Sequence, residues 1–397
     1  MNENIRKINN DIKNLLFFLA VSIVIFFILL LLKTNVAICE WWTKNISRMW
    51  IWLVGHLVGW IGVSIFECFV VVAFIGIVIF LVIAIKSFVQ KNSQNAVKIL
   101  LILACFVVVF LNIYNISTGF AYNRVPLKIA TYEGAITEEE VVAIARQYID
   151  KLNEIASGLP KDENGSIICP YSTKELSDLL KEEYYKIDIE FSDYLHTYTP
   201  AAKSSMFSYF MSEMHIVGMF FAPTAEAHIN THCPSYDIAC TMAHEMAHGK
   251  GVMREDDANF LAYYLTLNSE NDFILFSGMY TLLWQLLETV NYFPNSQPVY
   301  EELINSISFD VKLTGNSASV FWVEHDLLKD IEEFFNDAYL KSNGVENGTD
   351  SYQENNKADI VVDEENLDDY GEPIVQVVSF SNVQKLIFLF AKNAKFQ

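Results

Sequence analysis

Two histidines and a glutamate are spaced so that they could serve one metal ion from a single helix. His244 and His248 lie four residues apart in the stretch HEMAH, with Glu245 directly after the first of them. Positions i and i+4 share a face of an α-helix, so both imidazoles can point at the same ion. Glu245 can then accept a proton from water at the ion without ligating it. This is the HExxH arrangement of zinc hydrolases, and it predicts a Zn²⁺ cofactor with Glu245 as catalytic base.

The third ligand is expected in the acidic run that follows. A catalytic zinc takes three protein ligands and keeps one open position. The chain can reverse after the Gly-x-Gly that follows His248, and a new helix then presents Glu255 to the metal. Asn259, one turn later, is predicted to hold the free ring nitrogen of a ligating histidine. Asp257 stays open as the alternative ligand; the ordinary role of Asp256 and Asp257 is that of acids at a helix N-terminus.

The local sequence predicts a helix around the motif. A start signal precedes it and two glycines follow it, with small or apolar residues along one side. The start signal is Pro234, Ser235 and Asp237, the apolar back is Ala239, Met242, Ala243, Met246 and Ala247, and the end is Gly249 and Gly251.

The composition separates the chain into two parts. Of its 397 residues 52% are hydrophobic, yet the net charge is −21. Residues 1–124 carry 10 Lys and Arg against 4 Asp and Glu, whereas the remainder carries 17 against 44. An apolar, mildly basic part followed by an acidic part indicates a membrane anchor and a water-exposed domain. We therefore expect a lipid bilayer as a partner and no nucleic acid.

Three apolar runs have no charged residue near their middle. They predict transmembrane helices at residues 14–32, 65–85 and 97–115. The tryptophan-rich segment 41–64 is interpreted as an interfacial helix, with an additional span as the alternative. A cleaved signal peptide fits the first run poorly, because the run is too long and no small-residue cleavage site follows.

The predicted domains are an anchor, residues 1–118, and a soluble domain, residues 119–397. Lys86, Lys91 and Lys98 flank the loop between the second and third spans and should hold it in the cytoplasm. The soluble domain then lies outside. The predicted localisation is a multi-pass protein of the cell membrane with an extracytoplasmic catalytic domain.

The soluble part is predicted to be mainly helical, in an α+β arrangement. Thr137 with Glu140, and Ser172 with Glu175, form capping-box patterns at two helix starts. Further helices are expected from Asp272 and over 320–344, the latter ending at Gly344. Residues 214–230 alternate between apolar and other residues, a pattern typical of one or two short strands. The acidic run 346–372 is predicted to be a disordered insertion. Cys233 and Cys240 could pair, but the soluble part has three cysteines, an odd count.

The sequence resembles a known family at several patches. HEMAHGKGVMREDDANFLAYYL, YNRVPL (122–127), FFAPTAEAHIN (220–230) and NDAYLKSNGVENG (336–348) are similar to the membrane-anchored, zincin-like bacterial family catalogued as domain of unknown function 3810. The Glu-x-x-Ala-Asn of 255–259 also resembles the Glu-x-x-Ala-Asp of gluzincin peptidases. The family usually has glutamate where this chain has Asp257, so the choice of third ligand stays open.

The resemblance implies a zincin-like metallopeptidase fold with a small edge-strand sheet beside the active-site helix. By that resemblance, the segment 225–230 is the edge strand that pairs with extended substrate, with Glu226 and Asn230 as substrate-binding residues. Tyr339, in a family-like patch, is the candidate oxyanion donor. His228 lies on a different element and is not expected to ligate the metal.

The favoured function is hydrolysis of peptide bonds in a peptide or protein substrate, as an endopeptidase or an aminopeptidase. The alternative is a metal-binding sensor or regulator of zincin fold that cuts rarely or never; an intact Glu245 argues against a dead enzyme. Proteolysis within the membrane fits poorly, because the stretch KGVMREDD is too charged for a bilayer.

Overall fold

A computed structural model describes residues 2–127, 136–187, 193–293, 296–356, 359–367 and 373–393. The chain divides into two compact units. The first is Met1–Val125 with Phe221–Glu226, and the second is Pro126–Phe220 with Ala227–Gln397. The boundary along the chain therefore follows Val125, a few residues beyond the predicted position after residue 118.

The first unit is built from apolar helices. Four described helices of the chain are long and apolar enough to cross a membrane, and three of them lie here, at the predicted spans. The fourth, Asp272–Asn291, is 72% buried and is a core helix of the second unit. The helices of the first unit are α1 (Asn2–Leu32), α2 (Val36–Trp42), α3 (Arg48–Val58), α4 (Ile65–Val89) and α5 (Ser93–Tyr114).

The tryptophan-rich segment is not among the described helices that are long and apolar enough to cross a membrane. It folds as α2, a π-helical turn at Thr43–Ser47, and α3, which follow one another without a break. Glu40, Lys44 and Arg48 lower its apolar character, and its interfacial position stays a prediction. The Trp42 indole N–H donates to the Ile116 carbonyl across 3.1 Å, just beyond the end of α5.

Contacts at both ends fix the relative directions of α1 and α5. Near their starts, Lys98 pairs with Asp11 at 2.6 Å. At their far ends, the Lys33 ammonium donates to the Asn115 side chain across 3.3 Å. The two helices therefore run in the same direction, and α4, joined to α5 by a short turn, runs in the opposite one. This is the pattern that a three-span anchor requires.

The helices of the second unit begin largely where the sequence predicts. The capping boxes of Thr137 with Glu140 and of Ser172 with Glu175 are both formed. The helix predicted over 320–344 is instead two helices, because Glu213 takes the backbone N–H groups of Leu327 and Leu328 between them. The helices are α6 (Glu138–Gly158), α7 (Thr173–Lys186), α8 (Ser208–Glu213), α9 (Ile238–Gly249), α10 (Glu255–Leu267), α11 (Asp272–Asn291), α12 (Gln297–Ser306), α13 (Phe309–Glu324), α14 (Lys329–Ser342) and α15 (Asn382–Lys392).

A small three-stranded sheet accompanies the helices. Its strands are β1 (Ala202–Ser204), β2 (Gly218–Phe221) and β3 (Glu226–Ile229), in the order β1-β3-β2, with β1 and β3 parallel. The strand predicted at the edge, β3, is therefore central, and β2 is an edge. Neighbouring strands therefore take both sides of β3.

The structure describes part of the acidic run 346–372. It has a 3₁₀ helix at Gly348–Asn356 and a strand, β4 (Asp359–Leu367), which pairs with β5 (Pro373–Ser379) as an antiparallel hairpin. Residues 357–358 and 368–372 of the run lie outside the described residues, and its disorder stays a prediction.

The core of the second unit surrounds α9. This helix packs against α10 and α11. Two buried tyrosines hold the helices in place: the Tyr184 hydroxyl donates to the Ala243 carbonyl across 2.6 Å, and the Tyr148 hydroxyl to the Met279 carbonyl across 2.8 Å. All six cysteines are free, so Cys233 and Cys240 form no disulfide.

Candidate metal centre

Helix α9 presents the HExxH residues from a buried frame. The five small and apolar residues predicted to form its back are all fully buried. This packing fixes the rotation of the helix about its axis. The ring planes of His244 and His248 lie at 84° to each other, with centroids 4.6 Å apart. One edge of each imidazole ring can therefore face the same point.

Three side chains converge at one point. The Nε2 atom of His244 lies 3.2 Å from Oε2 of Glu255, and Nε2 of His248 lies 3.5 Å from the same oxygen. Two ligands at about 2.0–2.1 Å from a tetrahedral zinc lie about 3.3 Å apart. Among the described residues, His244, His248 and Glu255 are the one group of three or more side chains of metal-ligating type close enough to share an ion.

The atoms around this point have the hydrogen bonding that a metal site needs. Nδ1 of His248 faces the Val252 carbonyl at 2.8 Å, which orients the ring and leaves Nε2 free to ligate. Oε2 of Glu255 is buried and has no hydrogen-bond partner. A buried carboxylate oxygen without a hydrogen bond, flanked by two imidazole nitrogens, fits a position where a cation binds.

The charges of the cluster are strongly coupled. Burial opposes the charge of His248, but the Glu255 carboxylate outweighs burial and raises the pKa of His248 to about 9. Burial likewise disfavours ionised Glu255, but His248 and His244 together lower the pKa of Glu255 to about 2. The site therefore stabilises an anionic Glu255 that faces positive charge.

The backbone of β2 lies directly against Glu245. A Cβ atom at Gly218 would come within 2.8 Å of Oε1 of Glu245, so only glycine permits this approach. The Phe220 backbone N–H bonds to the Glu245 carboxylate. Burial raises the pKa of Glu245, while His244 and His248 oppose the shift. Glu245 is thus a buried carboxylate held beside the cluster and beside a sheet edge.

The structure distinguishes between the acids after the motif. Glu255 joins the histidines, whereas Asp257 accepts the Leu127 backbone N–H across 3.1 Å. Arg254 pairs with Asp256 at 3.1 Å and with Asp257 at 3.5 Å. Asp257 therefore lies on the side of α10 that faces away from the cluster.

Asn259 makes a different contact from the one predicted. Its side-chain amide donates to the Tyr352 carbonyl across 3.0 Å rather than to a histidine ring. Asn259 shares a face of α10 with Glu255. Its side chain nevertheless contacts the 3₁₀ helix at Gly348–Asn356 instead of a histidine ring. Nδ1 of His244 is buried without a hydrogen-bond partner.

Tyr352 is the site residue that sequence reasoning missed. Burial raises its pKa, and the nearby charge of Glu255 raises it further, followed by that of Glu245. Its hydroxyl accepts from the Asn336 amide at 3.4 Å. Tyr352 therefore stays protonated beside both carboxylates. NDAYLKSNGVENG, the patch that indicated Tyr339, begins at Asn336 and ends a few residues before Tyr352.

The remaining predicted residues have other described contacts. Both Glu226 carboxylate oxygens accept backbone N–H groups at the start of α4, from Ile65 at 3.0 Å and Phe66 at 2.9 Å. The buried Asn230 amide donates to Ser212 and to the Ile216 carbonyl. These contacts explain both residues structurally, and their substrate-binding roles stay predictions.

The two other residues considered from the sequence lie on separate elements. Tyr339 is 41% exposed on α14, and its role as oxyanion donor stays a prediction. His228 lies on β3, where its ring nitrogen faces the Met219 carbonyl at 3.3 Å. It is absent from the cluster, as expected.

A family model described as "Protein of unknown function (DUF3810)" matches residues 42–357, well over half of the chain. The chain belongs to this family. The match includes the second and third apolar spans, the HExxH helix, Glu255 and Tyr352. No curated protein and no solved structure matches the chain.

Proposed function

We propose that this chain is a membrane-anchored zinc metallopeptidase that hydrolyses peptide bonds outside the cytoplasmic membrane. The observation that carries the proposal is the convergence of His244, His248 and Glu255 on one point, with Glu245 buried beside them. The separations of 3.2 and 3.5 Å fit tetrahedral zinc ligands. Two nitrogen ligands and one carboxylate also form a donor set typical of zinc peptidases.

Each residue has a distinct part in this chemistry. His244, His248 and Glu255 would hold the zinc ion, which when bound would supply a Lewis acid for the scissile carbonyl and for water. Glu245 accepts the proton of the attacking water and transfers it to the leaving amine. Its raised pKa suits both transfers, because the carboxylate must take up and release a proton in one turnover.

Tyr352 is our candidate for the oxyanion donor, in place of Tyr339. Its protonated hydroxyl lies within the electrostatic reach of Glu255 and Glu245. A hydrogen-bond donor that faces the developing negative charge on the carbonyl oxygen lowers the barrier to its formation.

The edge strand β2 is our candidate for substrate pairing. It adjoins Glu245 through Gly218, and it is an edge of the sheet, unlike β3. An extended peptide added to β2 would carry its backbone past the general base. This replaces the pairing predicted for residues 225–230.

The extracytoplasmic location rests on charge and helix direction. Lys86, Lys91 and Lys98 lie at the turn between α4 and α5, the end of the anchor that the positive-inside rule assigns to the cytoplasm. Because α5 leads from that end into the second unit, the second unit follows on the opposite side.

The test uses the full chain purified in detergent, with a mixed peptide substrate and metal analysis on the same sample. We expect about one zinc per chain, hydrolysis that a chelator removes and added zinc restores, and no hydrolysis by Glu245→Gln. Hydrolysis that persists in Glu245→Gln contradicts the proposal. A chain that holds zinc but cleaves no peptide supports the alternative, a metal-binding regulator.

A further inference from the structure

A cavity lies in the second unit, and its lining does not include the residues of the metal cluster. Its volume is about 590 Å³, within the usual range for small-molecule sites. Its walls come from the residues at the start of α9 and from α11, α12 and α13, and they include none of the HExxH residues and not Glu255.

One wall of the cavity holds a carboxylate. Asp237 lines the cavity and is half-buried. Burial raises the pKa of its carboxyl to about 7, opposed by its own backbone N–H. An organic cation in the cavity would gain an ionic partner in this carboxylate.

Four aromatic side chains line the same cavity as this carboxylate. The rings of Tyr236 and Tyr280 lie 4.7 Å apart at 59° to each other. Trp284 and Trp322 also line the cavity, and Trp284 is 54% exposed, which leaves its face available to a ligand. Aromatic faces attract organic cations through their ring quadrupoles and offer apolar contact to the rest of the molecule.

The cavity wall also carries one cationic side chain, Lys312. The Lys312 ammonium donates to the Asn305 carbonyl across 3.3 Å. On the same helix, Gly315 brings the backbone against Tyr280: a Cβ atom there would lie 2.4 Å from the tyrosine hydroxyl oxygen. The close approach of α13 thereby shapes the aromatic side of the cavity.

We propose that this cavity binds a small organic ammonium ion with an apolar or aromatic body, with Asp237 as its counter-ion and Tyr236, Tyr280, Trp284 and Trp322 as its walls. The site is independent of the proposed peptidase activity. Its ligand class is defined by the Asp237 carboxylate and by the aromatic rings of the wall, both of which favour an organic cation.

The probe is 2-phenylethylammonium, titrated calorimetrically into the detergent-solubilised full chain at pH 8. The neutral 2-phenylethanol and the anionic 3-phenylpropionate serve as matched comparisons. We expect the ammonium ion to bind at least about tenfold more tightly than either, since an ionised partner strengthens a buried contact. Equal or tighter binding of the anion contradicts the proposal.

Variants locate the binding. Asp237→Asn keeps the size of the side chain and should weaken ammonium binding at least tenfold, while Trp284→Ala should weaken it with little effect on folding. Phe309→Ala, which removes a 74% exposed ring on α13 outside the cavity, is the control and should bind normally. His244→Ala should also bind the ammonium ion normally. Loss of binding in His244→Ala, or unchanged binding in both cavity variants, overturns the proposal.

Discussion

The side-chain amide of Asn259 donates to the backbone carbonyl of Tyr352 across 3.0 Å. Helix α10 therefore positions two parts of the candidate site, since it also carries Glu255 one turn before Asn259. Through this contact the 3₁₀ helix at Gly348–Asn356 is tied to the helix that carries Glu255, the proposed third ligand.

Replacement of Tyr352 by phenylalanine should slow catalysis without loss of metal. We expect kcat to fall about 10²-fold and KM to change little, because an oxyanion donor acts mainly in the transition state. Steady-state kinetics with a fixed peptide measures both constants. Tyr339→Phe is the matched control and should keep the wild-type kcat. A larger loss in Tyr339→Phe would return the role to Tyr339.

Glu245→Gln should bind zinc and fold normally but lose peptide hydrolysis by at least about 10²-fold. The amide has nearly the shape of the carboxylate, yet it cannot accept the proton of water. Glu324→Gln, an exposed acid on α13, is the control and should retain full activity. Metal analysis and hydrolysis are measured on the same preparation, so that loss of zinc is distinguished from loss of the base.

Membrane orientation can be tested with two engineered cysteines. Glu346→Cys lies in the second unit, and Gln90→Cys lies at the turn between α4 and α5; both positions are exposed. We expect an impermeant thiol reagent added to intact cells to label the first and to leave the second unlabelled. The unmodified chain, with its six free cysteines, gives the background. The reverse labelling pattern would put the second unit in the cytoplasm.

Asp237→Asn should stabilise the chain in a pH-dependent manner. The carboxyl pKa of about 7 in the folded chain lies above its ordinary value of 3.8. The folded state therefore holds its proton more tightly, and the unfolding free energy falls as pH rises between these two values. Removal of the charge should add up to about 4 kcal/mol at pH 8, less where solvent screens this half-buried carboxylate, and less than about 1 kcal/mol near pH 4. Thermal unfolding of both chains across this range provides the measurement.

The titratable groups near Asp237 do not change their protonation in the pH range in which Asp237 does. The side chains that interact electrostatically with Asp237 are thiols and phenols, and the pKa values of Cys233, Cys240 and Tyr280 are each raised to about 12. Burial raises the pKa of Tyr236 as well. All four stay neutral below pH 8. An equal gain in stability at every pH would show that Asp237 does not ionise as described.

Local patterns in the sequence predict the helices and the shared helix face of His244 and His248 well. The i, i+4 spacing of His244 and His248 needs only a helix, and the capping boxes at Thr137 and Ser172 are contacts within one turn. The choice between Glu255 and Asp257 could not be made from spacing alone. Both acids lie in the first turn of α10, and the rotation of that helix is set by its packing against α9 and by the contact of Asp257 with Leu127.

The features that the sequence did not predict depend on contacts between distant parts of the chain. Tyr352 approaches Glu255 although many helices separate them in sequence, and no periodic pattern signals such a contact. The position of β3 at the centre of the sheet depends on β1, which pairs with it from before β2 in the chain. The split between α13 and α14 likewise depends on Glu213, which binds the intervening backbone from another element.

The most direct measurement is the zinc affinity of two matched amide variants of the full chain. Glu255→Gln removes the carboxylate that lies 3.2 Å from His244, whereas Asp257→Asn changes a carboxylate that binds Leu127 and Arg254. At one fixed free zinc concentration, we expect wild type and Asp257→Asn to hold about one zinc per chain. Glu255→Gln should bind zinc at least about tenfold more weakly. Full zinc occupancy in Glu255→Gln, with loss of zinc in Asp257→Asn, would contradict the metal centre described here.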